Sequence, residues 1–281
     1  MHIEFAKFED GRQIVFDPSS LSDAWKCLFF YKTRQLDRWR YVGTPWNAEF
    51  GKMVHEGLEV YHANKLDGTW ADAQSKAVDH ALSLAPVLRD CPDTSRRGEQ
   101  LVRAVHWYTE EWKDDPFKTV RYNDSPAIEL RFELAIPETP WRMSGRIDRL
   151  AEWDGDLFVV DTKTTGRPLN PQYWKQWNPS VQFSAYMWAC RALELPVKGV
   201  LIEACQTMVT GCRWARTRIG IKEAQTDEFL MDLQRLVNNI DLAHNDDYWP
   251  RNRASCTLYN GCELQDVCTA SPENRHQRLR S

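Results

Sequence analysis

No run of apolar residues in this 281-residue chain approaches the roughly 20 needed to cross a bilayer. The start, Met1-His2-Ile3-Glu4-Phe5-Ala6-Lys7, has no basic stretch followed by an apolar core. A soluble, unexported protein with no membrane partner is therefore expected, in the cytoplasm. Low-complexity tracts are absent too, and 42% hydrophobic with 27% charged residues excludes wholesale disorder and fibrous folds. Positive charge is not in excess: 36 Lys and Arg against 40 Asp and Glu leave a net charge of -4. That excludes adhesion to nucleic acid over the whole surface, which neutralising phosphates would have to drive. A local basic groove stays allowed, hidden in the acidic average if several carboxylates serve a metal inside it. No internal repeat and no Gly/Ser linker interrupts the chain, so residues 1–281 read as one α/β unit, long enough to bury a core. What is plentiful is cysteine, with eight, and tryptophan, with thirteen. Eight cysteines without a secretory signal point to a clustered subset holding a metal rather than to disulfides.

Residues 19–115 read as mainly helical. Pro18-Ser19-Ser20-Leu21-Ser22-Asp23 predicts a helix start behind a Ser cap, on a helix that carries Cys27. Phe50, Val54, Leu58 and Tyr61 predict a second helix over 48–64, with His55 and Glu59 four residues apart on another face. Two more helices are expected near 69–89 and 95–113. The period then changes, and residues 125–221 read as the sheet-bearing core. Strands are expected over 127–136, 142–153, 156–164, 197–207 and 213–219, with a helix near 180–195. Residues 222–281 give a long helix over 222–243 and an irregular polar tail with three cysteines.

Chemistry concentrates at the hairpin predicted to turn on Asp154-Gly155. A two-residue turn makes every cross-strand pair sum to 309, which sets Asp148 opposite Asp161. Opposed carboxylates repel unless something compensates, and a divalent cation would. Lys163 shares the strand face of Asp161. Two carboxylates and an ammonium suit phosphodiester hydrolysis, the metal activating a water while the lysine steadies developing charge. An Asp-x-Lys triplet alone also describes a solvated sheet face with Lys163 as salt-bridge partner. Against that, Leu157-Phe158-Val159-Val160 is a buried-strand run leading into the charges, where unpaired charge is costly. Gln182 and Tyr186, one turn apart on the next helix, offer further polar contacts on one face.

Gly145-Arg146-Ile147-Asp148, Asp161-Thr162-Lys163 and Gln182-Phe183-Ser184-Ala185-Tyr186, in that order, resemble the three nuclease motifs of the RecB-like branch of the PD-(D/E)XK superfamily. Gly51-Lys52-Met53-Val54-His55-Glu56-Gly57-Leu58-Glu59 resembles the helix that supplies this branch with an extra histidine ligand. The resemblance runs from about Ser20 to Cys268. It implies a restriction-endonuclease-like α/β core, a mixed central sheet flanked by helices, with a helical N-terminal region and a cysteine-rich C-terminal segment. It also implies that Mg²⁺ or Mn²⁺ is bound by His55, Asp148, Asp161 and the carbonyl of Thr162, that Lys163 is catalytic with the two aspartates, and that Gln182 and Tyr186 meet DNA. Glu129 falls where many members carry an acidic residue. Read without the family, His55 is equally a helix-surface histidine. A zinc-protease helix is excluded, because Glu59 stands where a second histidine is needed.

Cys256, Cys262 and Cys268 recur at equal intervals, without the Cys-x2-Cys clip usual in zinc knuckles. In exonucleases of the RecB-like branch, one cysteine on the N-terminal helix and three at the C-terminus often surround a [4Fe-4S] cluster. Cys27 with this trio resembles that arrangement, and zinc stays open because four thiolates suit either metal. Cys190, Cys205 and Cys212 read as buried hydrophobes. Trp174, Lys175 and Trp177 lie between Lys163 and Gln182, so they either stack unpaired bases or pack beneath their loop. The expected function is a metal-dependent DNA exonuclease acting on single strands or free ends, with a helicase, recombination or CRISPR adaptation partner implied by the resemblance. An endonuclease or flap nuclease, or a binder of single strands with a structural metal, are the alternatives.

Overall fold

The computed structural model describes residues 15–38, 44–257 and 261–275. Along the chain come β1 (Val15–Phe16), α1 (Pro18–Lys26), α2 (Leu28–Tyr31), α3 (Trp46–Asp67), α4 (Trp70–Leu84) and α5 (Gly98–Glu111). Next are the short strands β2 (Lys118–Thr119), β3 (Arg121–Tyr122) and β4 (Ser125–Pro126), then β5 (Ile128–Ala135), β6 (Arg142–Trp153) and β7 (Asp156–Thr165). The remainder comprises α6 (Pro171–Lys175), α7 (Val181–Ala192), β8 (Val197–Met208), β9 (Gly211–Ile219), α8 (Glu223–Asn245) and α9 (Gln265–Thr269). Two compact units share these elements, one within 1–43, 133–144 and 227–281, the other within 44–132 and 145–226. Neither is a continuous stretch, which is why the sequence carries no linker between them and reads as one unit.

In the second unit, β7 pairs antiparallel with β6 and parallel with β8, while β8 pairs antiparallel with β9. Phe50, Val54, Leu58 and Tyr61 repeat every three or four residues along α3, and they bury with Leu101, Val105 and Tyr108 of α5 against Cys205 and Trp214 on one sheet face. Gly57 allows this approach, since a Cβ there would come within 2.7 Å of Val105 Cγ2. Ala204 and Ala215 alternate with Cys205 and Trp214 and so point to the other face, where Leu169 and Tyr173 pack on them. Trp177 of that cluster leans on Phe183 of α7, its ring centroid 5.7 Å away. The result is a mixed sheet flanked by helices, the α/β architecture expected. In the first unit, β1 pairs parallel with the start of β6, and Phe16 stacks on Trp141 at 4.6 Å.

Three local expectations need correction. The cap of α1 is Asp17, not a serine: its carboxylate accepts from Ser20 N at 2.7 Å, and Ser20 Oγ accepts from Asp17 N. Cys27 is not inside that helix but in the extended break between α1 and α2, at φ -171°. The β6–β7 hairpin does turn on Asp154-Gly155, with φ +54° and +80°, as a two-residue loop of this kind requires. Its pairs keep the sum of 309 from Trp153↔Asp156 to Arg149↔Val160. The ladder stops there, so Asp148 does not directly oppose Asp161. Instead its side chain crosses to β7, where Asp148 Oδ2 accepts from Thr162 N at 2.8 Å.

Candidate active site

The apolar half of β7 holds the strand in the middle of the sheet, and alternation then turns Asp161 and Lys163 to the α7 face. Asp161 has no exposed surface. Lys163 Nζ lies 2.7 Å from Asp161 Oδ2 as an ion pair. Gln182 uses both ends of its amide: Oε1 accepts from Lys163 Nζ at 2.9 Å, while Nε2 donates to Asp161 Oδ1 at 3.0 Å and to Tyr186 Oη at 2.8 Å. Tyr186 in turn donates to the carbonyl of Arg146 at 2.8 Å. Burial pushes the Asp161 carboxyl up to about 6, against the lowering effect of Lys163, and the charge of Asp148 adds to the rise. The rings of Trp177 and Phe183 stand 5.5 and 5.9 Å from Lys163 Nζ.

From the opposite side α3 brings His55. Its Nε2 is 2.9 Å from the Thr162 carbonyl, which can only accept, so Nε2 carries the proton. Nδ1 then faces Asp148 Oδ2 at 3.3 Å. With the ring neutral these are two acceptors, and a cation or a second ring proton is what reconciles them. Glu129 completes the group: ligand atoms of His55, Glu129 and Asp148 lie within 4.8 Å of one another. Glu129 sits at φ +52°, a left-handed backbone uncommon outside glycine and asparagine, that aims its carboxylate here. Burial first, then the Asp148 charge, raises its pKa. Arg146 Nε pairs with Glu129 Oε2. The cleft lined by His55, Glu129, Asp148 and Thr162 measures about 20 Å³, room for one small occupant. Two carboxylates and a histidine fit a hard divalent ion.

The expected site residues thus fall into two sets. His55, Asp148 and the Thr162 carbonyl come together with Glu129, while Asp161, Lys163, Gln182 and Tyr186 form an adjoining chain. The Thr162 carbonyl lies 2.9 Å from His55 Nε2. Tyr186 is buried, 3% exposed, and its hydroxyl accepts from Gln182 and donates to the Arg146 carbonyl. Trp174 and Trp177 are half-buried on Leu169 and Tyr173, and Lys175 is exposed.

Behind the site lies a set of buried charges that the sequence reading misses. Glu203 pairs with Arg149 at 2.9 Å and with Arg216, and accepts from Tyr108 Oη at 2.8 Å. Arg216 also makes two 2.8 Å bonds to Asp115, whose pKa they pull down against burial. The signal was available: Glu203 interrupts Val200-Leu201-Ile202, and Arg149 follows Asp148 on the alternate face. Since Arg149 is next to Asp148, this network fixes the strand that presents the carboxylate.

In the other unit, Cys27, Cys256, Cys262 and Cys268 line one cavity of about 360 Å³ with Phe29, Phe30 and Arg251. No three of these sulfurs lie within 4.8 Å of one another. Cys190, Cys205 and Cys212 are buried, as expected, and so is Cys91.

The model of the PD-(D/E)XK nuclease superfamily matches residues 16–269, and the chain belongs to that superfamily. Its mixed sheet between helices is the restriction-endonuclease-like core. No curated protein matches the chain in sequence. Among solved structures, a protein from Eubacterium rectale assigned as an exonuclease is 10% identical over 92% of this chain and 94% of its own, with TM-score 0.48. LHK-Exo in complex with dAMP is 14% identical over 75% of this chain and 98% of its own, with TM-score 0.30.

Proposed function

We propose that this protein is a metal-dependent DNA exonuclease that hydrolyses phosphodiester bonds in single strands or at free ends. The observation that carries this is the convergence of His55, Glu129 and Asp148 within 4.8 Å beside the buried Asp161–Lys163 pair. Oxygen and imidazole donors favour Mg²⁺ or Mn²⁺ over soft metals. His55, Glu129 and Asp148, with Asp161 beside them, would hold such an ion, which would supply charge to polarise the phosphate and lower the pKa of an attacking water. Asp161, already costly to keep charged without a cation, supplies the neighbouring oxygen. Lys163, held by Gln182 Oε1, offsets charge that develops on the phosphate, with the Trp177 and Phe183 rings limiting water around it. The exposed edges of Trp174 and Trp177 with Lys175 give unpaired bases a place to stack, at about 1–3 kcal/mol per base.

The four cysteines read as the holder of a [4Fe-4S] cluster. In support, all four line one cavity of about 360 Å³, and four thiolates suit such a cluster.

The test is digestion of end-labelled single-stranded, end-labelled duplex and closed circular DNA with Mg²⁺, Mn²⁺ or EDTA. Mononucleotides or short products from linear DNA, dependent on the ion and lost by several orders of magnitude in Lys163→Ala, are expected. Cutting of the closed circle makes the enzyme an endonuclease, and ion-independent activity removes the site.

A further inference from the structure

The site above leaves one buried cation of the catalytic unit unused. Arg96, on the single turn Thr94–Arg96 ahead of α5, is 7% exposed, and its Nε and Nη1 are buried without a hydrogen bond. The other two buried arginines of this unit, Arg149 and Arg216, are matched by Glu203 and Asp115. Arg96 has only Asp93, whose Oδ2 is 3.4 Å from Nε and whose Oδ1 is taken by the Ser95 amide and hydroxyl. Taking a guanidinium out of water without full compensation is costly, so such a group is a candidate for pairing with something that arrives.

Its surroundings point to what arrives. The guanidinium rests 5.7 Å from the ring of Phe50, which fixes its plane. Nη2 turns toward Gly166, 3.9 Å from where a Cβ would stand, and no other atom reaches within 4 Å of that position. Gly166 is the third residue after Lys163, so it lies about 10 Å further along the chain at strand rise. Gly51, four residues before His55, borders the same stretch: a Cβ on it would be 3.2 Å from Thr164 Oγ1. A residue without a side chain thus lies beside the guanidinium, just past the end of the catalytic strand.

We propose that Arg96 and the open space over Gly166 form a phosphate subsite, which takes a backbone phosphodiester of the DNA strand neighbouring the one that is cut. The planar fork of a guanidinium suits two phosphate oxygens, and lack of a side chain at Gly166 admits them. This rests on the reading of the protein as a DNA nuclease.

The test is fluorescence-anisotropy binding of a labelled single-stranded oligonucleotide in EDTA across a range of salt, for the wild type, Arg96→Lys, Arg96→Met and Gly166→Ala. Losing one phosphate contact lowers the slope of log K against log salt by about 0.7 for a single strand. Over a fourfold rise in salt, Arg96→Met should therefore lose about 2.6-fold less affinity than the wild type does. Gly166→Ala keeps the charge and has room for its methyl, so it should melt at the wild-type temperature and still bind DNA several-fold more weakly. Arg96→Lys should keep the slope with reduced affinity. Slopes and affinities equal to wild type in Arg96→Met and Gly166→Ala overturn the subsite while leaving the nuclease reading intact. If Arg96→Met does not fold, Gly166→Ala alone decides. A wild-type protein that binds no DNA at any salt overturns both.

Discussion

A carboxylate with no exposed surface holds its proton to higher pH than one in water, and Asp161, pushed up to about 6, is such a group. In the unfolded chain it titrates near the ordinary value of 3.8. Between those two pH values the folded protein binds more protons than the unfolded one, so the metal-free protein loses stability as pH rises, and above about pH 6 the loss is complete. From a shift of that size it amounts to about 3 kcal/mol at most. Asp161→Asn removes the ionisation. In EDTA its melting temperature should exceed that of the wild type above pH 6, with the gap closing toward pH 4, while cleavage is lost by several orders of magnitude in Mg²⁺. Adding Mg²⁺ or Mn²⁺ should raise the melting temperature of the wild type and leave the variant nearly unmoved. A stability difference that does not vary with pH would show that Asp161 is not charged at a cost, and the pairing with Lys163 would then be all that matters.

At the scale of elements, the site depends on how closely α3 approaches the sheet, because α3 alone carries His55. Gly57 sets how closely α3 packs on α5: two residues from His55, its missing side chain leaves room for Val105, and a Cβ would meet Val105 Cγ2 at 2.7 Å. Gly57→Val should cost about 1–3 kcal/mol by overpacking. It should also weaken metal binding, read by titration calorimetry with Mn²⁺, because the helix has to shift away from Thr162. The compensating variant Gly57→Ala with Val105→Ala should recover both. Unchanged Mn²⁺ affinity in Gly57→Val would mean that His55 is positioned by something other than this contact. The turn at Asp154-Gly155 was legible in the sequence because both residues take positive φ, which few pairs do as readily, and the pairing sum follows from the turn alone. That arithmetic cannot say where a ladder ends. Asp148 lies one step past the end, where its side chain caps Thr162 N instead of pairing across. Gln182 and Tyr186 were legible as one helix face, but periodicity carries no depth, so it could not tell the buried Tyr186 from a residue at the surface.

For the whole molecule, the two sets of candidate metal ligands belong to different units. His55, Glu129, Asp148 and Asp161 fall in one, and Cys27, Cys256, Cys262 and Cys268 in the other. The cysteines join residue 27 to residues 256–268, so a group bound by all four closes a loop of more than two hundred residues. Polar contacts already join the same segments: Phe29 N donates to the Pro250 carbonyl at 3.1 Å, Ser255 Oγ and Asn252 Nδ2 donate to the Lys26 carbonyl, and Arg34 pairs with Glu263 at an exposed 3.1 Å. Metal affinity then becomes folding free energy for that unit. Protein purified without oxygen should be brown and contain iron and acid-labile sulfide with little zinc. Cys27→Ser should lose the colour and lower the melting temperature, whereas Mn²⁺ affinity measured on the fraction that stays folded should change little, since no cysteine is among those ligands. Cys91→Ser, at a buried residue outside the cavity lining, should keep the colour. One equivalent of zinc and no iron would retain the staple and exclude the cluster. Metal-free protein that melts at the same temperature as Cys27→Ser, with no iron, sulfide or zinc in the wild type, would exclude both and leave these polar contacts and the packing of Phe30, Leu264 and Val267 to hold the cavity.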